Sequence, residues 1–430
     1  MLTESGLKRE LGVRRLAAAI VNVTIGAGIF VLPATVAAGL GTAAPFAYLV
    51  CTLAMALVVT CFAAAGSRVS HTGGLYAYIE VAFGPFLGFL GGVLFWLATI
   101  IAVASVASAF ADSIGLVWPL VSGNAGRAAV VIVLFSGLAF INVRGVKPGA
   151  QLIEIVTIAK LAPLALLILA GLWLLPLREL TDTTVPDLSA LGRTSVTLIF
   201  AFTGIEVALL PGGEIRDPHR TVPRAVFLAL VVTTVIYLVI QAVAQAALGT
   251  ELGAFKTAPL AETAARLLGP WARTFVLAGA TISMFGYISG DVLGTPRVIF
   301  AFARDGILPA RVAAIHPRFH TPWIAVLIHA VLAAAMAISS TFNRLAIISN
   351  VATLSVYLLC VAAAYQLERR NVQTAGTPFA LPGGVILPVL AAAVLLWLLS
   401  SATAREFAVE VIVLIIATAL YLARRPARRG

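Results

Sequence analysis

NVTIGAGIFVLP, residues 22–33, is the stretch that decides how this chain is read. It lies inside an apolar segment long enough to cross a bilayer. Its centre, Thr24-Ile25-Gly26-Ala27-Gly28, is nevertheless poorly suited to an unbroken helix. Closely spaced glycines weaken the helical ladder, and freed N–H and C=O groups are costly in hydrocarbon unless something binds them. Broken helix ends at mid-membrane hold small ions, the N-terminal end favouring a carboxylate and the C-terminal end a cation. The same glycines also read as a face for close helix packing. The motif alone leaves both readings open.

Composition narrows the class. Of 430 residues, 61% are hydrophobic and 11% charged, and the mean hydropathy is +1.04. So little charge excludes a soluble domain of this size and implies a polytopic membrane protein in a lipid bilayer. Lys and Arg outnumber acidic residues 29 to 18, but they sit in short connections between apolar runs. There they act as topology signals, and nucleic acid is not an expected partner. Cys51, Cys61 and Cys360 fall in apolar segments without ligand spacing, so neither a disulfide nor a metal is expected, and no cofactor.

Twelve spans are expected, near 15–39, 43–65, 86–111, 127–142, 151–176, 193–212, 224–248, 272–302, 322–340, 344–366, 384–402 and 406–423. With the N-terminus in the cytoplasm, twenty of the 29 basic residues fall inside, eight fall outside, and Lys160 stays in the membrane. Both termini are therefore expected in the cytoplasm, with the chain embedded in the plasma membrane. GIFVLP at residues 28–33 has an echo in GIEVALLP at 204–211, in the sixth span. Interrupted spans five helices apart point to a transporter site at a repeat interface, and an odd number of helices per repeat inverts the second copy.

The first-span glycines match the G-x-G-I-F signature of the amino acid–polyamine–organocation permeases. Residues 200–206 (FAFTGIE), with 214–218 (EIRDP), His219-Arg220 and Pro223-Arg224-Ala225, are similar to that family's sixth helix and following loop. GGLYAY at 73–78 and ARDGILP at 303–309 fit as well, in the family's order and spacing. The resemblance implies an all-α membrane fold with a LeuT-type five-plus-five inverted repeat and two peripheral helices. On that plan residues 1–14 form a cytoplasmic tail, 15–176 the first repeat, 193–366 the second, 384–423 the peripheral helices and 424–430 a basic tail.

It also implies transport of an amino acid by alternating access, not enzyme chemistry. Amides at Gly26, Ala27 and Gly28 would receive the substrate carboxylate. Carbonyls around Ile25, Phe202, Thr203, Gly204 and Ile205 would receive its ammonium. Phe200 and Phe202 stand where the family places an aromatic gate. Thr99 and Val103 are the third-span residues expected beside the substrate, with Trp96, Ala98 and Ala102. The tenth span offers Asn350, Thr353, Ser355 and Tyr357. No acidic residue occurs among the third-span candidates, which favours a neutral or small substrate side chain.

Lys160 is a basic residue deep inside the fifth span, where an ionised side chain is expensive and is a functional candidate by default. The resemblance places it where related transporters bind sodium, beside the first and eighth helices, and implies sodium-independent, proton-coupled symport. Glu206 is a second candidate for proton coupling, with a structural hydrogen-bond role as its alternative. An amino acid exchanger, or a sensor that binds without transporting, would use the same motifs. Asp291 is expected to pair with Arg297 or to line an inner vestibule, and Asp112 to be solvated near the outer end of its span.

Overall fold

The computed structural model describes residues 12–69, 75–144, 150–174, 186–208, 215–372 and 378–424. Parts of the recognised motifs, including Gly73, Gly74 and Glu214, lie outside them. In chain order the helices are α1 (Val13–Thr24), α2 (Ala27–Leu40), α3 (Ala44–Arg68), α4 (Leu75–Phe83), α5 (Pro85–Val117) and α6 (Asn124–Arg144). There follow α7 (Ala150–Leu174), α8 (Leu188–Leu198), α9 (Ile205–Ala208), α10 (Pro218–Leu248), α11 (Pro259–Leu268) and α12 (Pro270–Gly294). The chain closes with α13 (Pro296–Arg304), α14 (Trp323–Ser339), α15 (Phe342–Arg369), α16 (Ile386–Ser400) and α17 (Ala404–Arg424).

Among the described residues, seven helical stretches are long and apolar enough to cross a membrane, and four shorter apolar helices accompany them. Large apolar side chains stand exposed on their outer faces, among them Leu53, Val133, Trp173, Val331 and Ile415. In water such a surface would drive aggregation, whereas in a bilayer it meets lipid.

Local sequence sets the ends. Proline lacks an N–H and is preorganised for the first helical turn, so α5, α10, α12 and α13 all start on one. Gly84 precedes α5 with φ 92° and ψ 177°, and Gly269 precedes α12 with φ 91° and ψ −176°. Each junction follows a short helix, α4 in one case and α11 in the other. The span expected near 272–302 covers α12 and α13, which join at Thr295-Pro296 with Thr295 still in the helical region. Asp187 caps α8 by accepting the N–H groups of Ser189 and Ala190.

The interruption expected in the first span is present. Ile25 (φ −74°, ψ 77°) closes a tight turn in which Gly26 N–H donates to the Thr24 carbonyl at 2.8 Å. The second interruption follows α8. Residues Ile199–Phe202 tighten into a 3₁₀ turn, Thr203 is extended, and Gly204 has φ 109° before α9 resumes the helix. α2 packs against α8, and α1 against α9 and α10. Around this centre α15 lies along α5, and α3 lies along α10.

Arg127, near the start of α6, caps the end of α14. It donates to the Ser340 carbonyl at 2.8 Å and the Ile338 carbonyl at 3.4 Å, and it pairs with Asp112 at 2.9 Å. Asp112 is thus held in an ion pair. Arg193 at the head of α8 pairs with Glu406 at 3.0 Å, which ties that helix to the start of α17.

The two break glycines should respond differently to a methyl group. A Cβ on Gly204 would lie 2.9 Å from Val23 Cγ1, at a φ of 109° that L-residues rarely adopt. Strain of roughly 1–3 kcal/mol plus about 1–3 kcal/mol of overpacking should make Gly204→Ala clearly less stable. A Cβ on Gly26 meets nothing closer than 3.8 Å, so Gly26→Ala should stay within about 1 kcal/mol of the parent. Thermal unfolding of the purified variants in detergent checks the order, and equal losses would show that the break at Gly204 is not locked by packing.

Candidate functional site

The two interruptions meet backbone to backbone. A Cβ built on Gly28 would come within 2.8 Å of Ala201 Cα, and Gly204 sits as tightly against Val23. Glycine at both places lets the broken segments cross at a distance no side chain permits. Gly28 therefore serves close packing, while a Cβ on Gly26, its neighbour in the motif, would make only ordinary contacts, with the Val23 carbonyl and the ring of Tyr287.

Freed backbone groups at this crossing find polar partners. The buried hydroxyl of Tyr237, on α10, lies 2.9 Å from the Thr24 carbonyl and 2.7 Å from the Ala201 carbonyl, sharing its proton between the two breaks. Glu206 Oε2 accepts the Gly204 N–H at 3.0 Å and the Tyr357 hydroxyl at 2.6 Å. Lys160 is buried on α7, and its Nζ donates to the carbonyl of Asn22, three residues before the first break. Helix α7 also packs against α12. The first turn of α2, from Ala27, still has N–H groups without intrahelical partners, as every helix N-terminus does.

A small cavity of about 40 Å³ opens beside the second break. Thr203, Gly204 and Glu206 line it from the α8–α9 segment, with Ala98, Thr99 and Ala102 from α5. Tyr287 enters from α12, and Ser349, Thr353 and Tyr357 from α15. Thr99, Thr203, Gly204 and Glu206 are thus brought to one place as the sequence suggests. Ile25, Gly26, Ala27, Gly28, Val103 and Ile205 do not line the cavity, and Val103 is fully buried.

The two phenylalanines part company. Phe202 is fully buried, with its ring edge-on to Tyr237 at 5.2 Å. Phe200 stacks edge-to-face on Phe342, at the head of α15, at 5.4 Å. Neither lines the cavity. Asn350, expected among the selectivity residues, instead donates to the Val196 carbonyl at 2.7 Å and holds α8.

Sequence reasoning passed over Tyr237, Tyr287 and Ser349. The tyrosines did carry a signal, because a phenol placed in a membrane helix has a hydroxyl that must find a partner. Asp291 pairs with His329 at 2.7 Å and accepts Thr295 Oγ1 at 2.6 Å, not with Arg297 as expected. Six residues along one helix put Arg297 on the far side of the axis, whereas His329 faces Asp291 from α14.

The sequence matches the amino acid permease family over residues 11–422. It is 31% identical to the serine/threonine exchanger SteT of Bacillus subtilis, covering 91% of this chain and 90% of that protein. The branched-chain amino acid permease BcaP of the same organism is 24% identical, over 90% of this chain and 87% of its own length. The methylthioribose transporter of Bacillus subtilis is 26% identical, over 92% and 88%. All three relatives are transporters and none is an enzyme. With apolar helices throughout, two broken helices crossing at glycines and a match along nearly its whole length, the chain is a multi-pass membrane protein belonging to the amino acid permease family of the amino acid–polyamine–organocation superfamily.

Proposed function

We propose that the protein carries a small neutral amino acid across the plasma membrane by alternating access, driven by protons and independent of sodium. The observation that carries this reading is the contact of Lys160 Nζ with the Asn22 carbonyl beside the first break. An ammonium held there does the electrostatic work of a bound cation, and its loss of a proton would release the carbonyl end of α1. The α2 N-terminus at Gly26–Gly28 receives the substrate carboxylate. Carbonyls around Ile25, Phe202, Thr203 and Ile205 receive the ammonium, and the side chain enters the cavity beside Thr99 and Thr203.

The architecture on this reading has twelve spans. Residues 15–176 form one repeat, 193–366 its inverted copy and 384–423 two peripheral helices, with both termini in the cytoplasm. The matched Gly84-Pro85 and Gly269-Pro270 junctions, each following a short helix, support the repeat beyond what the two breaks contribute. The small cavity, without an acidic side chain from α5, favours a short, uncharged substrate side chain. Exchange is the second reading, favoured by the resemblance to a serine/threonine exchanger.

Uptake into proteoliposomes with and without an imposed pH gradient separates symport from exchange. Lys160→Ala should lower proton-driven accumulation by ~10-fold or more, the size of a typical coupling free energy. Lys160→Arg, whose guanidinium keeps its proton, should bind substrate yet fail as a driver. If Lys160→Ala accumulates substrate with the parent's pH dependence, the lysine is structural.

Phe200 tests the gate. Its ring links the second break to the head of α15, so removing it leaves main-chain contacts intact but fails to seal the site. Phe200→Ala should slow turnover about tenfold, equivalent to roughly 1.4 kcal/mol of barrier, while equilibrium binding changes less. Normal turnover would make Phe200 a packing residue.

A further inference from the structure

Helix α12 carries a polar stripe through the membrane. Ser283, Tyr287, Asp291 and Thr295 recur every fourth residue, so they share one face of an otherwise apolar helix. At 1.5 Å per residue, Asp291 lies about 6 Å beyond Tyr287 towards the inner end. Tyr287 lines the cavity. Glu206 lines the same cavity, and Asp291 follows Tyr287 by one turn on the same helix. One face of α12 thus runs from the substrate cavity to the Asp291–His329 pair.

That pair is unusual in its balance. Both side chains are buried, His329 completely and Asp291 to 7% exposure. Asp291 accepts from Thr295 Oγ1 on one oxygen and faces His329 Nε2 with the other. A carboxylate in that position accepts a hydrogen bond from Nε2–H and leaves Nδ1 with its lone pair, and among the described residues the buried Nδ1 has no partner. A histidine serving only as a donor to Asp291 needs no second nitrogen. Here the second nitrogen is left open.

We propose that the Asp291–His329 pair is a proton-holding site of the transport cycle, linked to the substrate cavity through Tyr287. The inference rests on the proton-coupled reading above. One proton from the inner aqueous face adds to His329 Nδ1, and the buried pair passes from a net charge of minus one to neutral. Release reverses the step, with no other reactant. A buried net charge is expensive and a buried neutral pair much less so, which makes occupancy sensitive to charge on Glu206 and at the cavity.

The other charged groups on the packed elements are engaged elsewhere or exposed. Lys160 of α7 holds Asn22, and Asp112 of α5 holds Arg127 of α6. Arg144 of α6 lies over the Phe140 ring, Arg304 of α13 beside Asp305, and Glu262 of α11 against Arg273. Arg297 of α13 and Arg266 of α11 are exposed. The side chain of Glu154 on α7 lies outside the described residues. Arg311, in the turn packed on α14, is exposed. Tyr287 shares the α12 face of Asp291, one turn away.

The test is the pH profile of uptake in proteoliposomes between about pH 5 and 8, the range in which histidine charge changes. The parent should vary ~5-fold or more across it, as a coupled site requires. His329→Gln, which keeps an amide donor for Asp291, should reduce that dependence at least ~2-fold while the variant still binds substrate. A folded His329→Gln with the parent's profile overturns the proposal. Should His329→Gln fail to fold, Thr295→Val removes one donor from Asp291 without touching the histidine. It should move the midpoint of the profile, and an unmoved midpoint is equally fatal. A parent protein with no pH dependence would instead sink the proton-coupled reading itself.

Discussion

Peptide groups freed at mid-membrane need partners, because hydrocarbon offers them none. This constraint organises the molecule. Two helices are interrupted at Ile25-Gly26 and at Thr203-Gly204, and the interruptions are pressed together at Gly28 on Ala201 and Gly204 on Val23. Three polar side chains from three other helices then serve the exposed backbone: Tyr237 from α10, Tyr357 from α15 through Glu206, and Lys160 from α7. Every helix that contributes a partner is itself positioned by that need.

Much of this was legible in the sequence, and the illegible part has a common cause. Glycine pairs in an apolar run mark a break whatever surrounds them, so Thr24–Gly28 and Gly204 could be placed from composition and spacing. A lone lysine among apolar neighbours is as conspicuous, and Lys160 does reach α1. Which face of a membrane helix looks inward is much harder to read. A helix apolar all round has no polar side to betray its orientation. Phe202 therefore read as a gate although it is buried on Tyr237, and Asn350 read as a selectivity residue although it holds α8. The stripe from Ser283 to Thr295 was visible at every fourth residue, but its partner His329 lies on another helix.

The contact at Gly28 refines how the first motif should be understood. Sequence offered two roles for its glycines, anion binding and close packing. The structure shows the packing role at one of them: a Cβ at Gly28 collides with Ala201, while one at Gly26 meets only ordinary contacts near Tyr287. Packing and ligand access are thus compatible in three residues, because successive positions around a helix start face different directions.

The tethers also differ in what they can change. Tyr237 presents a neutral hydroxyl shared between both breaks, so it binds the two broken helices to α10 in any protonation state of its neighbours. Glu206 is held twice, by Gly204 and Tyr357, and its carboxylate fixes the second break. Lys160 has one described partner, on α1 alone. Loss of its charge would therefore weaken the hold on the first broken helix and leave the second in place.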